Sequence, residues 1–86
     1  MKTQIVITGQ INSVRMLRNS IENHSVVEVT SHFNNVTLNF KNKKDAVKAL
    51  SEGYQYIKTQ DPEDSMFSYS RGVSMSYDAG RAVLVQ

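Results

Sequence analysis

The chain has no cysteine. That single absence excludes a disulfide framework, a thiolate zinc site and a cysteine nucleophile. With one proline and four glycines it also has no linker-like stretch. No apolar run approaches the ~20 residues that cross a bilayer. The run behind Lys2 is only Ile5-Val6-Ile7, too short for a signal peptide. A cytoplasmic location without membrane association is therefore expected, and the sequons at Asn23 and Asn35 carry no glycan there. Neither sign of charge dominates. Ten Lys and Arg against eight Asp and Glu leave +2, which permits nucleic acid as a partner without requiring it. What remains is 40% hydrophobic and 21% charged, too apolar for a disordered tail. The length holds one domain, residues 1–86, stabilised by packing alone where that margin is small.

Local patterns divide the chain into six or seven short elements. Thr3 to Thr8 is rich in β-branched residues and stops at Gly9, a strand with Ile5 and Ile7 on one face. A helix follows, with Asn12 as its N-cap and Ile11 stapled onto Met16. Val14, Leu17 and Ile21 fall on its apolar face, Arg15, Arg18 and Glu22 lie off it, and Asn23-His24 ends it. Ser25 to Ser31 predicts a second strand with Val27 and Val29 inward. His32-Phe33-Asn34-Asn35 predicts a turn, asparagine tolerating positive φ better than most residues. Val36 to Phe40 alternates as a third strand, antiparallel to the second.

Asn42 caps the second helix, and Asp45 in its first turn favours the exposed amides. Ala46, Leu50, Gly53, Tyr54 and Ile57 form its stripe, which leaves Tyr56 partly exposed. The helix must stop before Asp61-Pro62. Met66 to Ser70 and Val73 to Asp78 then alternate again, either as one bent strand or as two joined at Arg71-Gly72. Asp78-Ala79-Gly80-Arg81 predicts a tight turn with Gly80 left-handed, and Ala82 to Val85 a final strand.

This order predicts an α+β fold: a ferredoxin-like βαββαβ domain with an additional C-terminal β-hairpin strand. Its two helices pack on one face of an antiparallel sheet and leave the other free. An edge strand must remain exposed, and a homodimer could form through it.

Residues 36–50, VTLNFKNKKDAVKAL, resemble the RNA recognition motif at the end of its third strand and the start of its second helix. Ile5-Val-Ile-Thr-Gly9 looks like a degenerate form of that family's first-strand motif, and the likeness covers roughly residues 3–58. The resemblance implies the ferredoxin-like fold and RNA read by rings on the free face of the first and third strands. At the two third-strand stacking positions, however, stand Asn35 and Thr37. The outward residues of the first strand are Gln4, Val6 and Thr8, or Ile5 and Ile7 in the reverse register, again without a ring. Two lost platforms at ~1–3 kcal/mol per base remove most micromolar affinity.

No constellation for catalysis stands out. His24 and His32 have no local third ligand for a metal, so no metal or other cofactor is expected. Asp61, Glu63 and Asp64 read as a solvated loop, since Gly72 stands where a calcium loop needs glutamate. Ten serines include no Gly-x-Ser-x-Gly elbow, and Gly9 alone makes no phosphate loop. A non-catalytic binding module is the expectation, in one of two forms. In the first, Phe67, Tyr69, Arg71, Met75 and Tyr77 dock a protein partner, as in an adaptor or inhibitor; the types are those enriched at interfaces, although the same residues could simply close the core. In the second, Lys41, Lys43, Lys44 and Lys48 hold the phosphates of RNA or single-stranded DNA beside Asn35, Thr37 and Asn39, with Arg71, Phe67 or Tyr69 as replacement stacking groups.

Overall fold

Each strand alternates a side chain that needs burial with one that does not, so the sheet they build needs cover on one face only. The computed structural model describes residues 3–21, 25–61 and 67–85. Its elements are β1 (Thr3–Gly9), α1 (Ile11–Ile21), β2 (Val26–His32), β3 (Asn35–Phe40), α2 (Lys43–Gln60), β4 (Phe67–Ser70), β5 (Ser74–Tyr77) and β6 (Gly80–Val85). All six strands join one antiparallel sheet in the order β2-β3-β1-β6-β5-β4. The α+β class is as expected, and the strand order is compatible with a ferredoxin-like core. The addition is larger and earlier than expected. A whole hairpin, β4–β5, is inserted between α2 and the last strand, and it widens the sheet beyond β6. Residues 67–77 are two strands with Gly72 at φ 73 in the turn between them, and Val73 stands in that turn rather than in a strand.

Register explains the core. Ile5 lies between Leu38 and Leu84, and Ile7 between Val36 and Ala82, with Met75 beside Ala82. These side chains meet Val14, Leu17 and Ile21 of α1 and Ala46, Ala49, Leu50 and Ile57 of α2 in one buried cluster. Each large aliphatic in it contributes about 1.5–3 kcal/mol through burial. The two helices contact each other as well as the sheet. Among the described residues no helix is long and apolar enough to cross a membrane.

Caps and turns follow local chemistry, not always at the expected residue. Asn42 does cap α2, its Oδ1 accepting the Asp45 amide at 2.8 Å, and the Asp61 amide closes the other end onto the Ile57 carbonyl. For α1 the cap is Gln10 rather than Asn12. Gln10 Oε1 accepts the amides of Asn12 (2.9 Å) and Ser13 (3.3 Å), so Asn12 falls inside the helix. In β2 the register slips between Val26 and Glu28, a bulge that turns Val27 outward and leaves Val26 and Val29 to pack on the core. Expected features at Glu22-Asn23-His24, Pro62-Glu63-Asp64 and Met66 lie outside the described residues.

Gly80 is needed for space, not for a left-handed backbone. The positive φ of the β5–β6 turn belongs to Asp78, at 52°. A Cβ on Gly80 would stand 2.8 Å from Ser13 Cβ and 3.1 Å from Leu17 Cδ1, so α1 rests directly on the start of β6. We expect Gly80→Ala to lower stability by about 1–3 kcal/mol through overpacking. Asn42→Ala should cost about 1 kcal/mol through the lost cap. Urea titration followed by circular dichroism reads both, and an unchanged midpoint for Gly80→Ala would refute the close approach.

Candidate functional site

The sheet's uncovered face is readable row by row from the register. The row nearest the β2–β3 turn runs His32, Asn35, Thr8, Arg81, Ser76, Ser68. The middle row runs Thr30, Thr37, Val6, Val83, Ser74, Ser70. The far row is Glu28, Asn39, Gln4, Val85. The outward set of β1 is therefore Gln4, Val6 and Thr8. Asn35, Thr37 and Asn39 share this face of β3, where Asn39 is buried and its Oδ1 accepts a hydrogen bond from Gln4 Nε2 at 2.9 Å. Sixteen positions in three rows carry no aromatic ring, so this face has no platform for a base.

The C-terminal rings point the other way. Phe67, Tyr69, Met75 and Tyr77 lie on the helix side, where Met75 is fully buried and the rings are half-buried against the core. Tyr54 of α2 stacks on Tyr69 at 4.4 Å and on Phe67 at 5.1 Å, and Phe67 meets Tyr77 edge-on at 5.9 Å. Tyr77 Oη donates to Asp61 Oδ2 at 3.1 Å, tying the inserted hairpin to the end of α2. Arg71 stands apart in the exposed β4–β5 turn. Four of the five residues expected to dock a partner thus fasten the hairpin to α2. The register is responsible: Tyr69 pairs with Met75 and Phe67 with Tyr77, in line with Ala82 and Gly80 on the helix-covered face.

The lysines form a group of their own. Lys41, Lys43, Lys44 and Lys48 are all exposed around the start of α2, at the end of β3 away from the β2–β3 turn. Lys58 lies farther along α2, its Nζ 5.7 Å from the centre of the Tyr54 ring. A cleft of about 310 Å³ near the lysines is lined by Val27, Glu28, Asn39, Phe40 and Lys41, and it follows from the β2 bulge. Among the described residues no three His, Asp or Glu side chains converge to hold a metal.

One residue stands out that sequence reasoning passed over. His32 pairs with Asn35, so the β2–β3 hairpin turns on two residues, Phe33 and Asn34. Phe33, not an asparagine, takes the positive φ, at 60°, and its ring is 89% exposed. Asn34 instead spends its side chain on anchorage, Nδ2 donating to the Gly9 carbonyl at 2.9 Å. The signal was present in the sequence as a phenylalanine in a two-residue turn, where glycine or asparagine is usual.

The ring cluster makes a testable statement about its own role. Phe67→Ala with Tyr69→Ala should cost about 3–5 kcal/mol together, because the rings fill the space under α2. Tyr69→Phe should be neutral or gain up to about 1 kcal/mol, since Tyr69 Oη is buried with no hydrogen-bond partner among the described residues. Thermal and urea unfolding measure both; a double variant as stable as the parent would put the rings back on the surface.

No protein-family model matches the chain, and no curated protein or solved structure matches it. The likeness to the RNA recognition motif therefore extends no further than a compatible fold.

Proposed function

We propose that the chain is a non-catalytic protein-binding module of the cytoplasm, an adaptor or an inhibitor, on a ferredoxin-like core with an inserted hairpin. The observation that carries this reading is Phe33. An L-residue in the left-handed region costs roughly 1–2 kcal/mol, and a ring 89% exposed gains almost nothing from burial to offset it. Neither the backbone nor the core uses that side chain. Strained, exposed aromatics of this kind are what contact surfaces use, and aromatic rings lead the residues at the centres of protein interfaces.

The nucleic-acid alternative needs phosphate-binding cations and stacking rings in one place. Here the Lys41–Lys48 group and the exposed ring are separated, and the basic side chains in that ring's row are Arg81 and His32 alone. Lys41, Lys43 and Lys44 lie past one end of β3 and Phe33 past the other, about 20 Å apart for a strand of this length. The face between them carries no ring, so a strand laid across it would find amides, hydroxyls and valines. Affinity would then rest on the phosphates alone and fall steeply with salt.

Two measurements test the reading. Titration with random single-stranded RNA and DNA, followed by amide shifts at low and physiological salt, should give no saturable change along β3. Saturable shifts centred on Lys41–Lys48 with a salt slope of at least ~3 would replace the proposal by the nucleic-acid one. Phe33→Gly should raise stability by about 0.5–1 kcal/mol, the relieved strain less the added freedom of the unfolded glycine. A loss of stability would mean that the ring serves the fold after all.

A further inference from the structure

We infer that Phe33 and the polar row beside it form the docking surface, and that the protein partner presents an apolar pocket with an acidic rim. This rests on the protein-binding reading and adds the place and the chemistry of the contact. Phe33 is presented as a peg. The His32–Asn35 pair closes the turn from both strands, and the Asn34–Gly9 bond fastens its tip to the end of β1. A ring held in this way loses little freedom on binding, which favours a tight, well-defined contact. Its neighbours along the sheet are polar, so it does not belong to a flat apolar patch. It suits a concave site that takes one ring and lets a polar margin close around it.

The margin carries its own charge. His32, Asn35, Thr8 and Arg81 are adjacent across four strands, spanning about 14 Å, and all four are exposed. On the helix side Arg18 reaches β2, its Nη1 3.5 Å from Ser31 Oγ. No carboxylate stands in this row. Of the described acids at this end of the molecule, Asp78 is directed to α1, with Oδ2 3.5 Å from Ser13 Oγ, and Asp61 lies on the helix side, where Tyr77 Oη donates to it. Carboxylates on the rim of the partner's pocket would meet Arg81 beside the polar groups of the row, which fixes the orientation in which the ring enters. A polyanion would instead draw on the lysine group at the far end, and it offers no pocket for a single ring.

Site-resolved crosslinking tests the surface. The full chain carrying benzoylphenylalanine in place of Phe33, of Lys48 or of Ser68 is irradiated in extract of the cells that produce it, and the crosslinked peptides are sequenced. Position 33 should join a protein segment that combines apolar residues with Asp or Glu. Arg81→Glu, added to that chain, should cut the yield about tenfold with the amide spectrum otherwise unchanged. Asn34→Ala should cut it severalfold by loosening the peg. Protein crosslinks from position 48 or 68 but not from 33 overturn the assignment of the tip while the protein-binding reading stands. A crosslink at 33 that ignores Arg81→Glu overturns the acidic rim. Crosslinks removed by nuclease, or none from any position, overturn both the surface and the protein-binding reading beneath it.

Discussion

Two helices cover one face of a sheet that is six strands wide, and that one-sided cover governs the rest of the molecule. The antiparallel register lines up Ile5, Ile7, Val36, Leu38 and Ala82 on the covered side and sends every alternate residue to the other. Helix and sheet approach closely because Gly80 lets Ser13 and Leu17 lie against β6, and because Gly53 lets Ile21 lie against α2. With no cysteine to form a disulfide, this layer is where the stability of so small a domain must come from.

The same constraint explains why the C-terminal aromatics pack on the helix side. Two helices are narrow cover for six strands, and a hairpin added beyond β6 leaves a gap beneath its inner face. Phe67, Tyr69 and Tyr77 fill that gap from the sheet and Tyr54 from α2, in stacked and edge-on contacts that add to simple burial. The serines that alternate with them, Ser68, Ser70, Ser74 and Ser76, face the uncovered side. Small hydroxyls there demand no cover, so the open face can stay open.

The exposed ring and the lysine group stand at the ends of the strands rather than on the face. One end gathers lysines around a helix start, the other holds a single ring above a row of polar and cationic groups. Their separation by the length of β3 is a consequence of strand geometry.

Periodicity in the sequence was enough to determine the elements themselves: the Ile5/Ile7 strand, the Val14-Leu17-Ile21 face, the Asn42 cap and the stop at Pro62 all depend on neighbours a few residues away. It was also enough to strip the first and third strands of stacking rings, since alternation assigns faces once one face is known to be buried. Four things needed the tertiary structure. Which side of the sheet Phe67 and Tyr69 occupy depends on the pairing of β5 with β6, a contact between strands that alternation alone leaves two-valued. The bulge at Val27 and the role of Gly80 arise from how one element meets another across the fold. The positive φ of Phe33 was invisible locally because the two asparagines that follow it were the better candidates. Asn34 was already committed to the carbonyl of Gly9, a partner 25 residues away in the chain that only folding brings within reach.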